Sequence, residues 1–176
     1  MTIGRFGAAW LLAIAAWVLL LPGVAWAANG SNEVAVTGDV VKPLHLTVDD
    51  LRALPPEQSA SAAMRRGPED TGAPTTVRGV SLAALVKRAG LVEPDRHSWK
   101  HTVVLAVATD GYSVAYSWPE LVNTDVGAGV LVVYERDGKA LDASEGPIAL
   151  VSAKDERTGP RHVRWLQRIE VTILKP

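Results

Sequence analysis

The chain has 176 residues, with 18 lysines and arginines against 19 aspartates and glutamates, a net charge of −1 and no cysteine. That balance gives no basis for binding nucleic acid or an anionic membrane surface. The missing thiols exclude disulfides and cysteine-held metals, so an ordinary apolar core must carry the stability.

Arg5 is the only charged side chain before Ala28, Phe6 to Leu21 is almost wholly apolar, and Pro22-Gly23 precedes Ala25-Trp26-Ala27. A basic start, an apolar stretch and an A-x-A site predict a cleavable signal over residues 1–27 and a periplasmic protein. The apolar run is shorter than the ~20 residues a membrane span needs. Residues 28–33 are a short polar lead-in, and 34–176 is one domain.

Val34 to Val41 alternates as a first strand, and Leu44 to Leu46 continues extended after Pro43. Thr47 with Asp50 resembles an N-cap and its partner, opening a short helix that Pro55-Pro56 stops. Ser59 to Met64 is weakly strand-like, residues 65–74 form a polar loop, and Thr75 to Val80 is β-branched and extended. Ser81 caps a helix whose Leu82, Leu85 and Val86 share a face and which Gly90 ends.

His101 to Thr109, the turn dipeptide Asp110-Gly111 and Tyr112 to Tyr116 predict a hairpin. Ser117 and Glu120 suggest a reciprocal helix cap. Val130 to Glu135 reads as a buried strand turned by Asp137-Gly138, Ile148 to Val151 as another, and Arg168 to Leu174 as the strand that closes the sheet. The sum is a compact α+β domain with short helices.

Chemistry concentrates in Asp155-Glu156-Arg157-Thr158-Gly159-Pro160-Arg161-His162-Val163-Arg164-Trp165. This non-periodic segment between apolar runs carries charges where loops carry binding residues. Asp155 or Asp110 can accept hydrogen bonds from a planar ligand, and Arg157, Arg161 and Arg164 can supply forked donors. Trp118, Trp165 or Tyr112 can offer a stacking face, with His162 beside them. Arg78, before Gly79-Val80, is a weaker candidate of the same kind.

Plainer roles stand beside these. Asp110-Gly111 is equally a turn, Trp165 is equally core, and Arg164 with Arg168, four apart, fit the surface of a helix. His97 and His101 have helical metal spacing, but no third ligand is evident. There is no phosphate loop and no Ser-His-Asp order, and we assign no catalytic or metal-binding residue.

The ordered set Gly38-Asp39-Val40, Pro43-Leu44, Leu46-Thr47, Asp50-Leu51, Arg78-Gly79-Val80-Ser81-Leu82, Thr109-Asp110-Gly111-Tyr112, Gly146-Pro147 and Arg161-His162-Val163-Arg164-Trp165-Leu166 resembles the sulfite oxidase family. The resemblance spans residues 34–174 and implies that family's molybdopterin-binding fold, a mixed and barrel-like β-sheet structure. It implies a pterin ligand, with Arg78, Asp110, Tyr112, Trp118, Asp155, Arg157, Arg161 and His162 around it. The family's enzymes resemble one another in holding molybdenum through one cysteine, which this chain lacks, so molybdenum is not expected.

The chain looks more like small exported members that bind free pterin and report it to a membrane-bound sensor than like those enzymes. The expected function is therefore a non-catalytic pterin-binding protein with a membrane partner. A molybdopterin-dependent oxidoreductase or redox subunit with atypical metal ligation is the alternative. A ligand-free interaction domain is the third.

Overall fold

Valine-rich and alternating runs pair into two five-stranded sheets. The structure, a computed structural model, describes residues 32–65 and 71–175, so the expected signal and most of the lead-in lie outside the described residues. The first sheet contains β1 (Glu33–Gly38), β2 (Leu44–Thr47), β5 (Thr102–Ala108), β6 (Ser113–Ser117) and β10 (Leu166–Ile173), in the order β2-β1-β10-β5-β6. β1 runs parallel to β10, with Val36 opposite Ile169, and the other pairings are antiparallel.

The second sheet is built on β3 (Ser59–Met64), β4 (Thr75–Ser81), β7 (Val130–Arg136) and β8 (Lys139–Ala140). β9 (Ala149–Ser152) joins β7 on the same side as β8. Val130 to Tyr134 are all buried, because β7 is covered on both faces. Val130, Val132 and Tyr134 enter the main core with residues of the first sheet, whereas Leu131 and Val133 join Met64, Val77, Ala149 and Val151 in a smaller cluster. Gly79 permits the close approach of β4 to β7, since a Cβ there would lie 2.2 Å from the Val132 carbonyl oxygen.

Among the described residues, four short helices edge the sheets: α1 (Val48–Arg52), α2 (Leu82–Ala89), α3 (Trp118–Asn123) and α4 (Asp125–Ala128). The Thr47–Asp50 capping box closes in both directions. Ser81 accepts the Ala84 amide, and α2 buries Leu82, Leu85 and Val86 before Gly90. Two expectations fail. Ser117 accepts the Glu120 amide but the reciprocal bond is not made, because the Glu120 carboxylate turns to Arg161 instead. Arg164 and Arg168 share no helix surface: Arg164 lies in a connection and Arg168 in β10, where strand pairing overrides the four-residue spacing. Among the described residues, no helix is long and apolar enough to cross a membrane.

Candidate functional site

Val163 is buried and joined to Leu150 by two backbone hydrogen bonds of 2.8 and 2.9 Å. This bridge pins an otherwise irregular segment against β9. An extended residue that points inward turns its neighbours outward, so His162 and Arg164 face the same open space. The Thr109 amide donates to the Trp165 carbonyl, bringing the tip of the β5–β6 hairpin to that space. Ala108, Asp110, Tyr112, Gly159, His162 and Arg164 line the resulting cleft of about 350 Å³.

Asp110 shapes the turn through one oxygen, which accepts the Tyr112 amide at 2.9 Å. Its other oxygen accepts no hydrogen bond among the described residues and is free for a ligand. The Tyr112 hydroxyl donates to the Pro160 carbonyl at 2.6 Å, tying the hairpin tip to the opposite wall. Arg164 is exposed and makes no ion pair among the described residues. His162 is set deeper: its Nε2 lies 3.1 Å from Glu145 Oε2. Glu145 is itself buried and accepts two bonds from Arg136, at 2.9 and 2.7 Å. Burial holds the His162 imidazole below its usual pKa, against the opposing pull of Glu145.

Three of the eight candidates therefore meet in the cleft: Asp110, Tyr112 and His162. Asp155 and Arg161 do not line it, because they bind each other. Arg161 Nε donates to Asp155 Oδ2 at 2.7 Å, Nη2 donates to Asp155 Oδ1, and Nη1 donates to Glu120 Oε1 at 2.9 Å. The same guanidinium stacks 4.8 Å from the Tyr116 ring centroid. Trp118 is buried in the main core, and Arg157 is exposed outside the cleft lining. Arg78 lines a different cleft, of about 470 Å³, with Arg52, Leu54 and Ser59. Trp165 is half-buried at a φ of +51°, its ring against Gly146.

Arg164 belongs to the cleft although its spacing from Arg168 suggested a covering role. Glu145 and Arg136 carry no signal in the sequence that marks them for the site. A lone acid before Gly146-Pro147 carries no periodic signal, and only long-range folding brings it to His162. His97 and His101 line a third cleft with Asp39 and Asp95, where His97 Nε2 accepts from Arg96. Among the described residues, no three histidine, aspartate or glutamate side chains are placed to hold a metal.

Residues 25–174 match the family described as the oxidoreductase molybdopterin binding domain. No curated protein matches the sequence. Among solved structures the chain is similar to the sulfane dehydrogenase SoxCD from Paracoccus pantotrophus, with a TM-score of 0.59 and 20% identity, over 81% of this chain and 38% of that one. The chain thus spans well under half the length of that relative. The likeness is one of fold: a mixed α+β structure of the sulfite oxidase molybdopterin-binding kind.

Proposed function

The chain belongs to the oxidoreductase molybdopterin-binding domain family, and from that premise we propose that it holds a molybdopterin-type pterin in the cleft between the β5–β6 turn and residues 159–164. The observation that carries this reading is the convergence of a carboxylate, a phenol, an imidazole and a guanidinium, from Asp110, Tyr112, His162 and Arg164, on one concave site.

The donor set suits a pterin. The unengaged Asp110 oxygen can accept from the ring's amino edge, and Arg164 can bridge its carbonyl or grip an anionic tail. The half-exposed Tyr112 ring offers an apolar face, held in place through its hydroxyl. The set does not suit a metal bonded to the protein through sulfur, since no thiolate exists. A molybdenum ion carried by the cofactor would take its sulfur donors from the pterin alone. When bound, such a cofactor supplies redox chemistry, and the chain's own residues bind it, orient it and shelter it.

Family membership favours service as the pterin-holding part of an oxidoreductase, such as a redox subunit. Reporting to a membrane-bound sensor rests on the resemblance to small exported members and on the missing cysteine, and family membership does not add to it. Export to the periplasm, read from residues 1–27, completes the proposal. Calorimetric titration with reduced and oxidised pterins is the test, with molybdenum analysis of protein from molybdate-fed cells. Saturable binding that weakens in Asp110→Asn and Arg164→Ala supports the site. No binding of either oxidation state at micromolar concentration overturns it.

A further inference from the structure

Behind His162, which lines the cleft, lies a largely buried relay that ligand binding alone does not require. Arg136 Nε and Nη2 grip the two oxygens of Glu145, and Glu145 Oε2 meets His162 Nε2. The Arg136 and Glu145 side chains are 20% and 9% exposed, and that of His162 is 14% exposed. A carboxylate held by a two-pronged arginine cannot swing away, and it can only accept. The hydrogen between Glu145 and a neutral His162 must therefore sit on Nε2. His162 Nδ1 has no hydrogen-bond partner among the described residues and is not a buried orphan, so it is accessible on a ring that lines the cleft.

We propose that Glu145 is a positioning residue: by accepting the Nε2 hydrogen it fixes the His162 tautomer and presents the Nδ1 lone pair to the cleft as an acceptor. This deepens the pterin reading and rests on it for the identity of the ligand. Together the Asp110 oxygen and His162 Nδ1 make two acceptors, which select a ligand edge bearing N–H groups, as the amino-pyrimidine edge of a pterin does. Arg164 remains the donor for the ligand's oxygens.

The relay also gives recognition a sense in pH. The charged and titratable groups facing His162 are Glu145 from the 141–148 connection, Arg136 from β7, Arg164 from its own segment, and Asp110 and Tyr112 from the hairpin tip. Burial and the two arginines oppose a proton on the ring, and Glu145 favours one. Acidification that protonates Nδ1 turns the acceptor into a donor and weakens an N–H edge.

Imidazole nitrogen NMR on the wild-type protein at pH 7.5 tests the tautomer without any ligand, with His162→Gln used to assign the signal among the four histidines. The expected result is a protonated Nε2 and a bare Nδ1. A protonated Nδ1, or a doubly protonated ring, overturns the proposal. In Glu145→Gln the carboxamide can donate or accept, so the tautomers should mix. Affinity for 6-hydroxymethylpterin should then fall roughly five- to tenfold, the loss of one accepted hydrogen bond.

An unchanged tautomer and affinity in that variant also overturns the proposal. Should the variant not fold, the wild-type spectrum still decides. If the wild type shows the expected tautomer but binds no pterin, the positioning stands and the ligand assignment falls.

Discussion

Asp155 and Arg161 face each other in a two-pronged ion pair that closes the 155–161 loop on itself and, through Glu120, onto α3. Ser152 adds a hydroxyl donor to Asp155 Oδ1 at 2.7 Å. Burial opposes ionisation of Asp155, but the Arg161 and Ser152 hydrogen bonds outweigh it and hold the carboxyl below its usual range. The Asp155 hydrogen bond likewise pushes the guanidinium upward. Two of the groups read from the sequence as ligand-binding, an acceptor and a forked donor, satisfy each other instead.

Arg161→Ala strips two half-buried carboxylates of their partner and removes the stack on Tyr116. We expect a loss of about 2 kcal/mol in denaturant unfolding, between the values for exposed and fully buried pairs. Pterin affinity should change less than twofold, in contrast to Arg164→Ala.

Arg136→Ala should be more costly. It leaves a buried carboxylate, Glu145, with only His162 for company, and about 3 kcal/mol is the expected loss. Urea unfolding at pH 7 measures it, and near-ultraviolet circular dichroism should report a disturbed Trp165, whose amide donates to the Glu145 carbonyl.

Gly146 has a φ of +79°, and a Cβ there would lie 2.5 Å from the Trp165 ring. Backbone strain and collision act together in Gly146→Ala, so a loss of about 2 kcal/mol or more is expected. Tryptophan emission should shift to longer wavelength as Trp165 is displaced outward.

The pH dependence of stability has two windows. The folded-state pKa of His162 is depressed, so its contribution is fully present above the unfolded value of about 6.5 and is lost as pH falls through the lower folded value. Asp155 acts further down: its contribution is present above about 3.9 and is lost as pH falls through its own lowered value. Thermal melts from pH 8 to 3 should show both declines. His162→Gln should flatten the upper one and leave the lower.

Much of the local chemistry is legible in the sequence where a bond spans a few residues. The Thr47 and Ser81 caps, the Gly90 stop, and the Asp110-Gly111 and Asp137-Gly138 turns all stand where they were expected. Family resemblance supplied the fold, and the Asp110–Tyr112 tip and His162 were placed in one cleft. What escaped was set by distance along the chain. Nothing near Glu145 announces that Arg136 and His162 will enclose it, and nothing near Arg161 announces that Glu120 will leave its own helix cap to reach it. The four-residue spacing of Arg164 and Arg168 suggests a helix in a segment that the Leu150–Val163 bridge makes extended.

The parallel pairing of β1 with β10 has a consequence for how the domain comes into being. β10 is the middle strand of the first sheet, with β1 and β5 on either side, yet it is the last strand of the domain. Without β10 the strands of the first sheet fall into two separate pairs, β2-β1 and β5-β6. Only the final segment can join them, and such distant pairings form slowly. The cleft residues His162 and Arg164 lie just ahead of β10 on that same segment, so completing the site depends on seating the central strand of the sheet.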